Sequence, residues 1–159
     1  MRQVFYSFHY DNDVMRVQQI RNIGMLDDNK PVSANQWESV KRAGKLAIQK
    51  WIDDNMKNRS CVIVLIGSLT YSREWVKYEI EHAWKTGKAL MGIYIHNLKD
   101  PQTGTCSKGK NPFLNYTVGG VSMANLVPCY DPNNRDAYRD IRDNLELWVE
   151  NAIRNQKNK

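Results

Sequence analysis

The sequence has no long apolar run. Its two longest, CVIVLIG (61–67) and ALMGIYI (89–95), fall far short of the roughly 20 residues that a bilayer span requires, and the opening MRQVFYSFHY holds no signal-peptide stretch. A soluble, non-secreted, cytoplasmic protein without membrane contact is expected. Cysteine is scarce as well: Cys61, Cys106 and Cys129 form no CxxC pair, and three widely spaced thiols fit reduced side chains better than a disulfide framework. None of His9, His82 and His96 stands at a ligand-like distance from a cysteine, so no metal site is expected. The patterns GxxxxGK[ST], GxGxxG, GxSxG and HExxH are absent, and the first loop, SFHYDND, contains no glycine. Phosphate-loop hydrolysis, dinucleotide redox chemistry, serine-esterase chemistry and zinc proteolysis therefore have no support.

Charge of one sign is not concentrated either. Lys and Arg number 23 against 17 Asp and Glu, a formal charge of +6, but the basic residues are scattered among acids, as in RNQKNK and TCSKGK. Nothing resembles a helix-turn-helix, a zinc finger or an RNA-binding aromatic signature, so no nucleic-acid partner is expected. A solvated basic surface compatible with a small anionic ligand such as a nucleotide is the simpler account.

What is present suits one folded domain over residues 1–159, with a core of about 3–153. The chain is 42% hydrophobic and 10% aromatic, enough to bury a core at this length. Val4 to Phe8 is a short β-favouring run, and Asp11 to Asp13 offers a cap for a helix carrying Val14, Val17 and Ile20 on one face, stopped at Gly24. The polar GMLDDNKP has room for an edge strand but no pattern that assigns one. Ser33 to Gln36 has the form of a capping box, and Trp37, Val40, Gly44, Ala47, Trp51 and Ile52 then recur at helical spacing, predicting one long helix to about Met56.

CVIVLIG shows no alternation, as expected of a strand covered on both faces. The segment SREWVKYEIE makes a helix ending at Gly87, and ALMGIYI supplies the next covered strand, so the order implies a right-handed crossover in a parallel sheet. Residues 96–124, with six Gly and Pro residues, read as a long loop. A last strand is expected within 125–130, then a helix opened by Asp131-Pro132 with Tyr138, Ile141, Leu145, Trp148 and Ala152 as its stripe, and a frayed tail. The fold class is α/β: a flavodoxin-like three-layer sandwich of four or five mostly parallel strands. In such sheets ligands bind beyond the carboxyl ends of the strands, which points to the loops after Phe8, Gly67 and Ile95, and so to Ser68 and His96 as well as the first loop. A phosphoacceptor receiver shares this plan, but no aspartate follows CVIVLIG.

Trp75 and Glu79 are i and i+4 neighbours on one helix face, roughly 6 Å apart, with Ser72 a turn earlier on the same side. Around them, IGSLTYSREWVKYEI resembles the third-helix region of TIR domains, where a glutamate follows a tryptophan at WxxxE spacing, and VFYSFHYDND is similar to the TIR first-strand motif. IVLIG, WVKYEIEHAW and GKALMGIYIH are similar to the bacterial TIR-like group that includes the sensor of the Thoeris antiphage system, over about residues 3 to 130. The chain departs from the usual pattern at Val76, where a cysteine is common, in the three-residue gap from Ser72 to Trp75, and in the loop at 23–33.

The resemblance implies an enzyme that cleaves the nicotinamide–ribose bond of NAD with Glu79 as the catalytic carboxylate, NAD being the substrate and no cofactor being needed. It implies substrate contacts from Phe8, His9 and Tyr10 at the nicotinamide end, with Trp75 as a flat wall beside Glu79; Ser68, at the end of its strand, is a further candidate substrate contact. It further implies a cyclic ADP-ribose-type product, a separate effector that senses this diffusible molecule, a phage-derived trigger and room for a homo-oligomer. No fused effector or receptor segment is seen, which suits a free-standing producer. A non-catalytic TIR-like assembly module is the other reading left open.

Overall fold

The computed structural model describes residues 1–29 and 34–157. Its elements are β1 (Val4–Ser7), α1 (Tyr10–Arg21), α2 (Ala34–Arg42), α3 (Lys45–Met56), β2 (Cys61–Ile66), a 3-10 turn (Thr70–Ser72), α4 (Glu74–Lys85) and β3 (Ala89–Tyr94). After a second 3-10 turn (Pro112–Asn115) come β4 (Thr117–Val118), β5 (Val121–Ser122), α5 (Met123–Leu126), β6 (Cys129–Tyr130) and α6 (Ala137–Lys157). Strands pair in the order β1-β2-β3-β6, all parallel, with Val4 opposite Cys61, Cys61 opposite Ala89 and Gly92 opposite Cys129. The α/β three-layer plan is thus observed. The β4–β5 pair is a separate antiparallel hairpin.

Strand periodicity divides the core in two. Successive side chains leave a strand on opposite faces, and Cys61, Ile63 and Leu65 of β2 join α1 and α6 while Val62, Val64 and Ile66 join α3 and α4. All six are buried, which is why the run is apolar without alternating. The same rule orients β1: Val4 and Tyr6 face α1 and α6, and Phe5 faces α3 and α4. Ser7, two residues past Phe5, therefore turns its hydroxyl toward α4.

Five sequence expectations need correction. The predicted long helix is two, because Gly44 sits at φ 100° and ψ 178°, a backbone state essentially reserved for glycine, and the chain turns there. The capping box at Ser33 lies outside the described residues. Helix α1 starts at Tyr10 with His9 as an N-cap making no side-chain bond, and Asp13 is not a cap but a buried helical residue paired with Arg16. The loop 96–124 is not without structure: it carries the second 3-10 turn, the hairpin and the start of α5. The last strand shrinks to Cys129–Tyr130 because Met123–Leu126 is helical. Helix α6 begins at Ala137, beyond Asp131-Pro132, and runs through Lys157 instead of fraying. Within it Val149 and Ile153 are buried where Tyr138 is 37% exposed, and Trp148 stacks on Tyr130 at 4.4 Å.

Two features frame the carboxyl edge of the sheet. Strand β1 is an edge, and residues 27–29 run beside it: Gln3 bridges Asp27 in parallel, Val4 N donates to Asp27 O at 2.8 Å and Tyr6 N donates to Asn29 Oδ1 at 2.8 Å. This is the edge segment that GMLDDNKP lacked the pattern to announce. The long loop docks so closely on the end of β2 that Gly109 leaves no room for a Cβ against the Gly67 carbonyl oxygen.

Candidate active site beside the edge strand

A cavity of about 510 Å³ opens beside β1, between α1 and the α2–α3–α4 layer. Its size lies within the roughly 300–1,000 Å³ of small-molecule sites. Six segments build it. The end of β1 and the following loop supply Phe5, Tyr6, Phe8 and His9; α1 supplies Tyr10, Asp11, Val14 and Arg21. Asn29 comes from the edge segment, Trp37 and Lys41 from α2, and Trp51 and Ile52 from α3. The entry to α4 closes the ring with residues 72–76 and, one turn deeper, Glu79.

Glu79 is 8% exposed and accepts a 2.7 Å hydrogen bond from Ser7 Oγ. Burial pushes its carboxyl up to about 8, and the Ser7 hydroxyl opposes that shift without cancelling it. The carboxyl is accordingly mostly protonated at neutral pH when the cavity holds no cation. A positively charged group beside it would pull the pKa down and release the proton.

His9 is held neutral: burial lowers its pKa first and the nearby Arg73 lowers it further. Its Nδ1 is buried without a hydrogen-bond partner among the described residues. Arg21 brings a largely buried cation to the wall. Its side chain is 8% exposed, its guanidinium lies 5.6 Å from the Phe8 ring centre and 6.0 Å from that of Tyr6, and Asp28 approaches it to 3.6 Å.

Of the residues singled out in the sequence, Phe8, His9, Tyr10, Trp75 and Glu79 line this one cavity, and Ser72 joins them. Ser68 does not. It follows the inner strand β2, one strand away from the edge, and its hydroxyl faces α1, accepting from Asn12 Nδ2 at 3.4 Å. His96 also lies elsewhere, packed edge-on against Tyr94 at 6.2 Å. Glu79 is not a surface carboxylate paired along its own helix: His82, one turn on, lies against Asp53 instead, at 3.4 Å.

Ser7, Arg21, Asn29, Trp37, Lys41 and Trp51 were not assigned to a site from the sequence. Ser7 was within reach, since its alternation with the buried Phe5 sends it to the same side as α4. The other five come together through the packing of α1, α2, α3 and the edge segment, which local patterns do not encode.

Comparison with known proteins follows the same residues. The chain matches, over residues 5–100, the family described as "Thoeris protein ThsB, TIR-like domain". It is 37% identical over 117 residues to "Putative cyclic ADP-D-ribose synthase ThsB1" of Bacillus cereus (strain MSX-D12), an alignment covering 70% of this chain and 61% of that protein. The chain therefore corresponds to less than two thirds of that relative's length.

Proposed function

The chain belongs to the TIR-like domain family of the Thoeris protein ThsB, and from that premise we propose that it cleaves the nicotinamide–ribose bond of NAD with Glu79 and closes the ADP-ribosyl group into a cyclic signal. A Thoeris-type role is the coarser statement that the family and its relative support. The observation carrying the chemistry is one buried carboxyl, hydrogen-bonded to Ser7 and set in the wall of a cavity with aromatic neighbours.

One carboxylate suffices for this bond. The nicotinamide of NAD is a pyridinium that takes the electrons of the C–N bond and leaves neutral, so no second carboxyl must protonate it, as one does in ordinary glycoside hydrolysis. What requires stabilising is the oxocarbenium-like ribose. When the cationic substrate enters, its charge favours ionisation of Glu79 at the moment the carboxylate is needed, and the Ser7 hydroxyl holds one oxygen still. Fixed charge of this kind contributes roughly 3–4 kcal/mol, a factor of about 10² to 10³. Phe8, Tyr10 and Trp75 provide flat surfaces for the ring, and neutral His9 offers a polar contact without adding positive charge beside a cation.

The ribosyl cation is then captured. Water gives linear ADP-ribose and a proton that Glu79 accepts; a nucleophile within the same ADP-ribosyl group gives a cyclic isomer. Ring closure wins over water when the adenosine is held folded over the ribose and the cavity excludes solvent. In this reading the product diffuses to a separate effector that senses it, and a phage-derived trigger sets the enzyme's activity.

The test is to incubate the protein with NAD, with and without lysate from phage-infected cells, and to identify products by mass spectrometry. Nicotinamide and a cyclic product are expected, and Glu79→Gln should reduce both about 10²-fold or more. Glutamine keeps an oxygen for the Ser7 hydroxyl, so this variant should fold. A folded Glu79→Gln protein with undiminished turnover overturns the mechanism, and absence of product in both arms favours the assembly module.

A further inference from the structure

The nicotinamide riboside half of the substrate accounts for only part of the cavity. Once Phe8, His9, Tyr10, Trp75 and Glu79 are assigned to it, the α2–α3 side still contributes Trp37, Lys41 and Trp51, and α1 contributes Arg21. Together they set two indoles and two cations along that side. The two indoles lie 5.8 Å apart and are tilted by 58°, so they do not cover each other face to face. Both are only partly buried against the core, and Lys41 Nζ lies 5.6 Å from the Trp37 ring centre. Arg21 is a cation more than nine-tenths buried, with an Nε that has no hydrogen-bond partner among the described residues and a carboxylate neighbour, Asp28, at 3.6 Å.

A buried guanidinium is costly unless it is matched by negative charge in hydrogen-bonding geometry. Asp28 supplies charge at a distance too long for such a bond. The arginine is thus left able to serve an anion that enters the cavity, for which its planar fork suits phosphate oxygens. A partly exposed indole suits a purine ring, which stacks on tryptophan irrespective of its edge pattern.

We propose that Trp37, Trp51, Lys41 and Arg21 form the subsite for the adenosine diphosphate half of the dinucleotide, with the adenine on the indoles and the diphosphate at Arg21. The assignment rests on the NAD reading of the same cavity. It adds which side of the cavity holds the half of the substrate that does not react, and why cyclisation is possible there: an adenosine bound in the same cavity as the ribosyl cation stays close enough to attack it.

The probe is adenosine 5′-diphosphate, titrated into the protein by calorimetry and by tryptophan fluorescence. Saturable binding that NAD displaces is expected. Trp37→Ala should weaken it roughly 10- to 100-fold, Trp37→Phe should restore most of it by keeping a ring to stack on, and Arg21→Lys should weaken it while preserving charge. Trp37 is partly exposed, so its variants are checked for folding by circular dichroism and thermal melting; were Arg21→Lys to misfold, the Trp37 pair decides alone. No binding of the diphosphate, or equal binding by wild type and Trp37→Ala, overturns the subsite. Binding and cleavage are read separately. Glu79-dependent NAD cleavage without binding of the probe defeats the subsite alone, whereas Trp37-dependent binding by a protein that never cleaves NAD defeats the catalytic reading alone.

Discussion

At the scale of single residues, where Glu79 is put decides how its carboxyl titrates. A glutamate on an exposed helix face would titrate near its ordinary value; this one is raised to about 8 by burial. The sign of the consequence for stability follows. The fold favours the protonated form, so the contribution is fully present below the unfolded value of 4.5, is lost as pH climbs toward about 8, and changes no further above that. Wild-type protein should therefore lose a few kcal/mol of stability relative to Glu79→Gln between about pH 5 and pH 8. Denaturant unfolding of both proteins across that range measures it, and Asp13 and Asp28, whose carboxyls burial also raises, cancel in the comparison. Parallel curves would mean that the carboxyl is not desolvated in solution. That Glu79 was a candidate could be read from WxxxE spacing, but its burial and its bond to Ser7 could not, since the two residues are 72 positions apart.

At the scale of elements, most of the layer structure was legible. Fully apolar runs identified β2 and β3, and helical spacing identified α1, α4 and α6. Periodicity failed where one backbone angle outweighed side-chain pattern. Trp37 and Trp51 keep helical spacing through Gly44, yet a residue at φ 100° cannot lie within a helix. Replacing it with alanine puts a Cβ into a conformation that costs about 1–3 kcal/mol, although the space around it is open. Gly44→Ala should lower the melting temperature by roughly 2–12 °C and, because it alters the joint between α2 and α3, should also weaken adenosine 5′-diphosphate binding. An unchanged melting temperature would show that the turn between the helices is not held in this geometry.

At the scale of the molecule, one buried ion pair ties the first helix to the long loop. Arg16 is 2% exposed, donates to Asp13 Oδ1 at 3.2 Å, to the Leu98 carbonyl at 3.0 Å and to the Gly104 carbonyl at 2.8 Å. Removing one member of such a pair strands the other charge, at a cost of about 3–5 kcal/mol, whereas removing both costs much less. Arg16→Leu should thus lower the melting temperature by roughly 6–20 °C, and the double change with Asp13→Leu should recover a large part of it. If the double variant melts no higher than the single one, Arg16 acts chiefly through the two carbonyls that it holds. No helix among the described residues is long and apolar enough to cross a membrane.

The sequence by itself determined the layers, the parallel order of the inner strands, the family and the candidate glutamate, because each depends on neighbours a few residues apart: alternation of two along a strand, four along a helix, and motifs contained in one turn. The cavity was decided only by tertiary structure. It brings Arg21, Asn29, Trp37, Trp51 and Glu79 from five separate segments to one side of the edge strand, whose Ser7 bonds Glu79, and the dielectric that raises the Glu79 pKa exists only when those segments have packed and driven water out.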